Sequence, residues 1–113
     1  MKTAPRHRGA AVHELKCQPE PFNAVLANVK PYEVRNNLDR RFDVGDHLVL
    51  REWEPTDPVR QPNGRPWKSS PPPGHFTGRV VYRTISYITR GGTWGLPTEL
   101  DILGFEPQPW VPK

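Results

Sequence analysis

The chain has 113 residues, a length that fits one domain able to bury roughly two thirds of the surface its unfolded form exposes. Only 35% of it is apolar and 15 residues are proline, so part of the chain is loop or tail, and no apolar run approaches the ~20 residues of a membrane helix. The net charge of +4 favours a polyanionic partner; the single cysteine, Cys17, excludes an intrachain disulfide, and Lys2, Arg6 and Arg8 have no apolar stretch behind them to make a secretory signal, so the expected location is the cytoplasm.

Residues 1–11 show no periodicity and read as a basic arm. Residues 12–17 alternate, with His13, Leu15 and Cys17 on one face of a strand and Val12, Glu14 and Lys16 on the other. Pro19 and Pro21 suit the first turn of a helix, where the N–H groups lack intrahelical acceptors. Phe22, Val25 and Leu26 then follow at the spacing of one buried stripe, and Asn28 is a suitable stop. Residues 30–35 form a second predicted strand, with Pro31 at its edge. Val44-Gly45-Asp46 is a turn signal, and His47 to Trp53 is a strand. Residues 54–75 are rich in proline, glycine, asparagine and serine and read as a long loop. Phe76 to Thr89 is a long β-rich run, Gly91 to Gly95 a glycine loop, and Leu100 to Phe105 a last strand. The tail, 107–113, is expected to be loosely held. The pattern predicts a mainly β (α+β) domain over 12–106, a small, partly closed barrel of about five or six strands with one or two short helices.

A strand, a short helix and then Gly-x-Lys-x-x-Glu-x-Arg is the hallmark of ASCH domains of the PUA-like superfamily. Here the segment reads Asn28-Val29-Lys30-Pro31-Tyr32-Glu33-Val34-Arg35, with asparagine in place of glycine, a residue that still accepts a left-handed backbone. More closely, the chain resembles an uncharacterised ASCH-related group of bacteria and phages, domain-of-unknown-function family 3850. The resembling pieces are His13 to Lys16, Phe22 to Ala27, Lys30 to Arg35 and Arg41 to Glu52. They continue with Phe76 to Arg79, Ser86 to Ile88 and Leu103 to Phe105. The resemblance implies a β-barrel with a cleft beside the helix, Lys30, Glu33 and Arg35 near that cleft, and the first strand along its border. For the wider superfamily it implies RNA binding, with some members hydrolysing nucleosides or cleaving RNA.

Glu33 and Arg35 are two apart in a strand and share a face. A carboxylate between two cations can orient Arg35 toward a phosphate or a base edge, or itself accept from a base amino group; the bland alternative is an exposed ion pair worth 0–1 kcal/mol. His13 and Lys16 alternate, so one of them is expected at the cleft, against a structural role for His13. Among aromatic residues, Trp94 beside Arg90 is the first candidate to stack on a base, against packing over the barrel end. Tyr32, next to the charged triplet, is a second, and Trp67 a weaker third; Trp53 and Tyr82 read as core or cross-strand residues. His7, His13, His47 and His75 lack metal-ligand spacing, so neither a metal nor another cofactor is expected.

These residues favour a module, a monomer or weak dimer, that binds RNA or a modified nucleotide. A hydrolase is the first alternative. One ASCH branch deacetylates acetylcytidine with a threonine that Glu33 replaces here, so the nucleophile of that branch is missing; Lys30 and Glu33 could still act as acid and base on RNA. A protein-interaction adaptor presenting the proline-rich loop is the second alternative.

Overall fold

The computed structural model describes residues 10–56, 74–107 and 109–110. Most of the expected arm, the loop over 57–73 and the end of the tail therefore lie outside the described residues, as does Trp67. The elements run β1 (Val12–Cys17), α1 (Pro19–Leu26), β2 (Tyr32–Asn36), β3 (His47–Pro55), β4 (Gly74–Thr89) and β5 (Leu100–Phe105).

β1 follows its two-residue period, burying His13, Leu15 and Cys17 and exposing Val12, Glu14 and Lys16. It runs parallel to β3, from Val12 opposite His47 to Cys17 opposite Glu52. The connection between them contains α1, which packs on β3 and β4 through the buried Phe22 and Val25. Leu26, expected on the same stripe, is exposed. A helix of two turns offers the sheet a narrow face, and Leu26 falls at its rim. The helix ends in a Schellman motif: Val29 N–H reaches Ala24 O, Asn28 N–H reaches Val25 O, and Asn28 takes φ +61°. Buried Arg83 adds a further cap, donating to Val25 O and to Asn28 Oδ1. Burial lowers the pKa of this guanidinium from its ordinary value, and its Nε finds no partner among the described residues.

The five strands form one mixed sheet in the order β1-β3-β4-β5-β2, antiparallel except for β1–β3. β4 joins its two halves. Its Gly74–Thr84 stretch pairs with β3 and its Ile85–Thr89 stretch with β5, with a register shift between Ile85 and Tyr87 where the strand passes from one partner to the other. A second shift, between Arg51 and Trp53, lets Glu52 and Trp53 both be buried. The core includes Leu15, Phe22, Phe42, Leu48, Leu50, Ile85 and Leu103. The sheet is not closed into a barrel. β1 and β2 are its two edges, and no backbone ladder joins them.

The strands β3 and β4 run further than expected, since Glu54, Pro55, Gly74 and His75 pair across the hairpin rather than belonging to the loop. The tail is also held in part. Trp110 stacks on His47 with centroids 4.5 Å apart, meets Tyr82 edge-on, and donates from Nε1 to Leu48 O. Among the described residues no helix is long and apolar enough to cross a membrane.

Candidate functional site

The two sheet edges leave a seam, and side chains bridge it. β2 buries Glu33 and half-buries Arg35 on the face turned to β1, the shared face expected from their spacing. Glu33 is only 4% exposed, and both of its oxygens are engaged. Lys30 Nζ donates to Oε2 at 3.1 Å, and Arg35 donates to Oε1 from Nε at 3.4 Å and from Nη2 at 3.3 Å. Arg35 Nη2 also reaches across the seam to Lys16 O on β1 at 2.6 Å. The guanidinium is thus fixed by a carboxylate and a backbone carbonyl, and Nη1 keeps its N–H groups without a partner among the described residues. Lys30 leaves the Schellman turn with its own N–H on Ala24 O, which sets the start of its side chain.

Around this triad lies a cleft of about 440 Å³, lined among others by Lys16, Cys17, Gln18, Lys30, Glu33, Arg35 and Asn36. Two cations, Lys30 and Arg35, against one buried carboxylate make its wall net positive. Cys17, at the end of β1, was not singled out by the sequence. Its thiol donates to Glu33 Oε2 at 3.7 Å. Burial, and then the Glu33 charge, push its pKa from 9.0 up to about 12, against a partial opposing pull from Arg35 and Lys30. It is a neutral donor at physiological pH and no thiolate nucleophile. The only sequence signal for it was its position on the buried face of β1.

The other expected site residues divide. Lys16 lines the cleft, and its Nζ lies 4.7 Å from the Trp53 ring centre. Tyr32 is exposed on the opposite face of β2 from Glu33, yet Lys30 Nζ stands 5.3 Å from its ring centre. His13 is not at the cleft. It is buried against Phe42, with Nε2 2.8 Å from Asp46 Oδ2. Asp46 also accepts from the N–H groups of Asp43 and Ala11, so His13 belongs to the hub that folds the Val44–Gly45 turn onto β1; the inward face of the strand leads to that hub at one end and to the cleft at the other. Arg90 is likewise apart from the triad. It donates to Asp101 Oδ2 at 3.2 Å and Asp43 Oδ1 at 3.3 Å, and lines a separate concavity of about 250 Å³ with Asn37, Arg40, Arg41 and Gly91. Trp94 does not pack over the end of the sheet: it is 94% exposed, at φ +53°. Among the described residues no three His, Cys, Asp or Glu side chains are grouped where they could hold a metal ion.

The model of the family described as "Domain of unknown function (DUF3850)" matches residues 12–105. The chain is also similar to the "Uncharacterized 12.9 kDa protein in GpA 3'region" of Escherichia phage P2, at 32% identity over 85 residues that make up 75% of this chain and 61% of that protein. The chain thus spans less than two thirds of that relative's length.

Proposed function

The chain belongs to the DUF3850 family, and from that premise and the geometry of the seam we propose that it is an ASCH-type, PUA-like module that binds RNA or a nucleotide in the Lys16/Lys30/Arg35 cleft. In this reading the open sheet is a barrel of that type whose last seam is closed by the Arg35–Lys16 contact instead of a ladder, and the ligand enters where the ladder is missing.

The observation that carries the reading is the posture of Arg35. Its fork is held by Glu33 and Lys16 O with Nη1 left over, so an incoming phosphate or base edge meets a guanidinium that has already lost its rotamer freedom. Lys30 adds a second donor on the same wall. A charge-assisted hydrogen bond of this kind contributes about 1.5–3 kcal/mol, enough to make Arg35→Ala lose on the order of tenfold or more in affinity. Fluorescence anisotropy of labelled single-stranded RNA and matching DNA at two salt concentrations measures this; Arg51→Ala, on the outer face of β3, is the control for charge alone. Equal binding by wild type and Arg35→Ala would remove the reading.

The hydrolase reading finds less support. Glu33 stands where the deacetylating ASCH branch has its threonine, both its oxygens are occupied by cations and a thiol, and the Cys17 thiol stays protonated. The adaptor reading rests on a loop outside the described residues.

A further inference from the structure

The cleft does not end at Arg35. A second concavity of about 120 Å³ shares Arg35 and Asn36 with it and continues to Asp39 and Arg40. Arg40 in turn borders the third concavity, the one lined by Arg41, Arg90 and Gly91. The three concavities thus adjoin one another through shared lining residues, and a chain passing from one to the next would follow a groove.

Cations are concentrated there. Lys16, Lys30, Arg35, Arg40, Arg41 and Arg90 all line it. The remaining cations of the described body are engaged elsewhere: Arg51 lies by Glu14, Arg79 by Glu52, and Arg83 is buried at the helix end. Of the acids along the groove, Glu33, Asp43 and Asp101 are buried beneath it and already bonded, Asp43 to Arg41 and Arg90, and Asp39 alone is exposed, 4.0 Å from Arg40. Burial pushes the Asp101 carboxyl up, but Asn37, the Gly91 N–H and Arg90 outweigh it and hold the group below its ordinary 3.8. Arg90 is thereby anchored over a fixed charge, as Arg35 is over Glu33. Each of its terminal nitrogens makes one of these bonds and has a second N–H to offer.

Trp94 is close in the chain to the third concavity. It follows Gly91, which lines the third concavity, by three residues, so it is within about 11 Å of it along the chain. The loop that presents it is fixed by bonds from Gly92 N–H to Leu96 O and from Thr93 N–H and Oγ1 to Arg90 O. A tryptophan in the left-handed region costs roughly 1 kcal/mol, and full exposure of its ring returns none of that through packing. An exposed ring presented by a fixed loop three residues from a cationic concavity is suited to stack on a base.

We propose that the groove is the path of a single-stranded oligonucleotide, which runs from the Arg35 cleft past Arg40 to Arg90 and stacks a base on Trp94. The inference rests on the reading of the cleft as a nucleotide site and goes beyond it by making the ligand a polymer instead of a free nucleotide. The phosphates are held by point charges and the terminal base by its π-face, so recognition along the groove is tolerant of sequence.

The test compares a labelled dinucleotide with an RNA oligomer of about ten nucleotides, bound to the full chain as wild type, Arg40→Ala and Trp94→Ala. Trp94 has no packing to lose, so its variant folds. The wild type is expected to bind the longer RNA more tightly. Each variant should lose about tenfold on the longer RNA and nothing on the dinucleotide, and Arg40→Ala should flatten the salt dependence by about one phosphate contact. A length advantage that persists undiminished in both variants, or no length advantage at all, would overturn the oligonucleotide path while leaving the cleft reading in place. Failure of the wild type to bind either ligand would overturn both.

Discussion

Glu33 accepts from Lys30, Arg35 and Cys17 at once, so removing its carboxylate frees two cations and orphans a buried thiol. Lys30 and Arg35 can partly return to water, which limits the cost; Glu33→Ala should lower stability by about 1–3 kcal/mol in urea unfolding and weaken RNA binding along with it, because the Arg35 fork loses its orientation. A variant of unchanged stability would mean that the triad is loosely held. Cys17 gives a separate test. With its pKa raised from 9.0 to about 12, the native thiol should resist a disulfide reagent at pH 8 and react only as fast as the chain unfolds. The sign for stability follows: the unfolded thiol ionises above 9.0 while the folded one does not, so this contribution is whole below pH 9 and is lost as pH rises through about 12. Glu33 and Arg35 were legible in the sequence because a strand's period of two decides which residues share a face, whereas Lys30, three positions before Glu33 and outside β2, was legible only through the family resemblance. Cys17 was not legible as part of the site. Its contact with Glu33 joins two edge strands that are sixteen positions apart and share no ladder.

The elements themselves were legible where a local period or a special backbone angle governs them. The alternation of β1, the proline-led first turn of α1 and the left-handed Asn28 are each written within a few residues. Asn28 carries two loads, the φ of +61° and the bond from buried Arg83. Asn28→Ala should therefore cost about 2.5–4 kcal/mol, the sum of a left-handed penalty of about 1 and a lost bond to a charged group of about 1.5–3. Asn28→Gly should cost less, since it relieves the first and forfeits only the second; thermal unfolding of the two variants checks the order. The ends of the β3–β4 hairpin were not legible, because Pro55 and Gly74 are poor strand formers that the ladder nevertheless holds. His13 shows the limit of facing arguments. Its inward orientation was readable, but its partner, Asp46, comes from a turn thirty-three positions later.

Charge looks different once the whole molecule is in view. The +4 of the chain suggested a basic protein. Yet Lys2, Arg6, Arg8, Arg60, Arg65, Lys68 and Lys113 all lie outside the described residues, where Asp57 is the one acid. The described body is net acidic, and its cations gather along the groove that starts at the seam. Neither fact is available to a composition, because segregation of charge depends on how the strands are ordered. The open seam has the same origin. β1 and β2 share no ladder, and the contacts of Cys17 with Glu33 and of Arg35 with Lys16 O join them instead. It also means that the arm and loop could bind polyanions without the cleft, so a readout by residue is needed. Titration of an ¹⁵N-labelled full chain with single-stranded RNA, followed by amide and arginine side-chain shifts, tests the central claim directly. The account predicts saturable shifts concentrated at Lys16 to Gln18, Lys30 to Asn36 and the Arg35 guanidinium, with the His13–Asp46 hub unmoved. Shifts confined to residues 1–9 and 57–73, with the cleft silent, would contradict it.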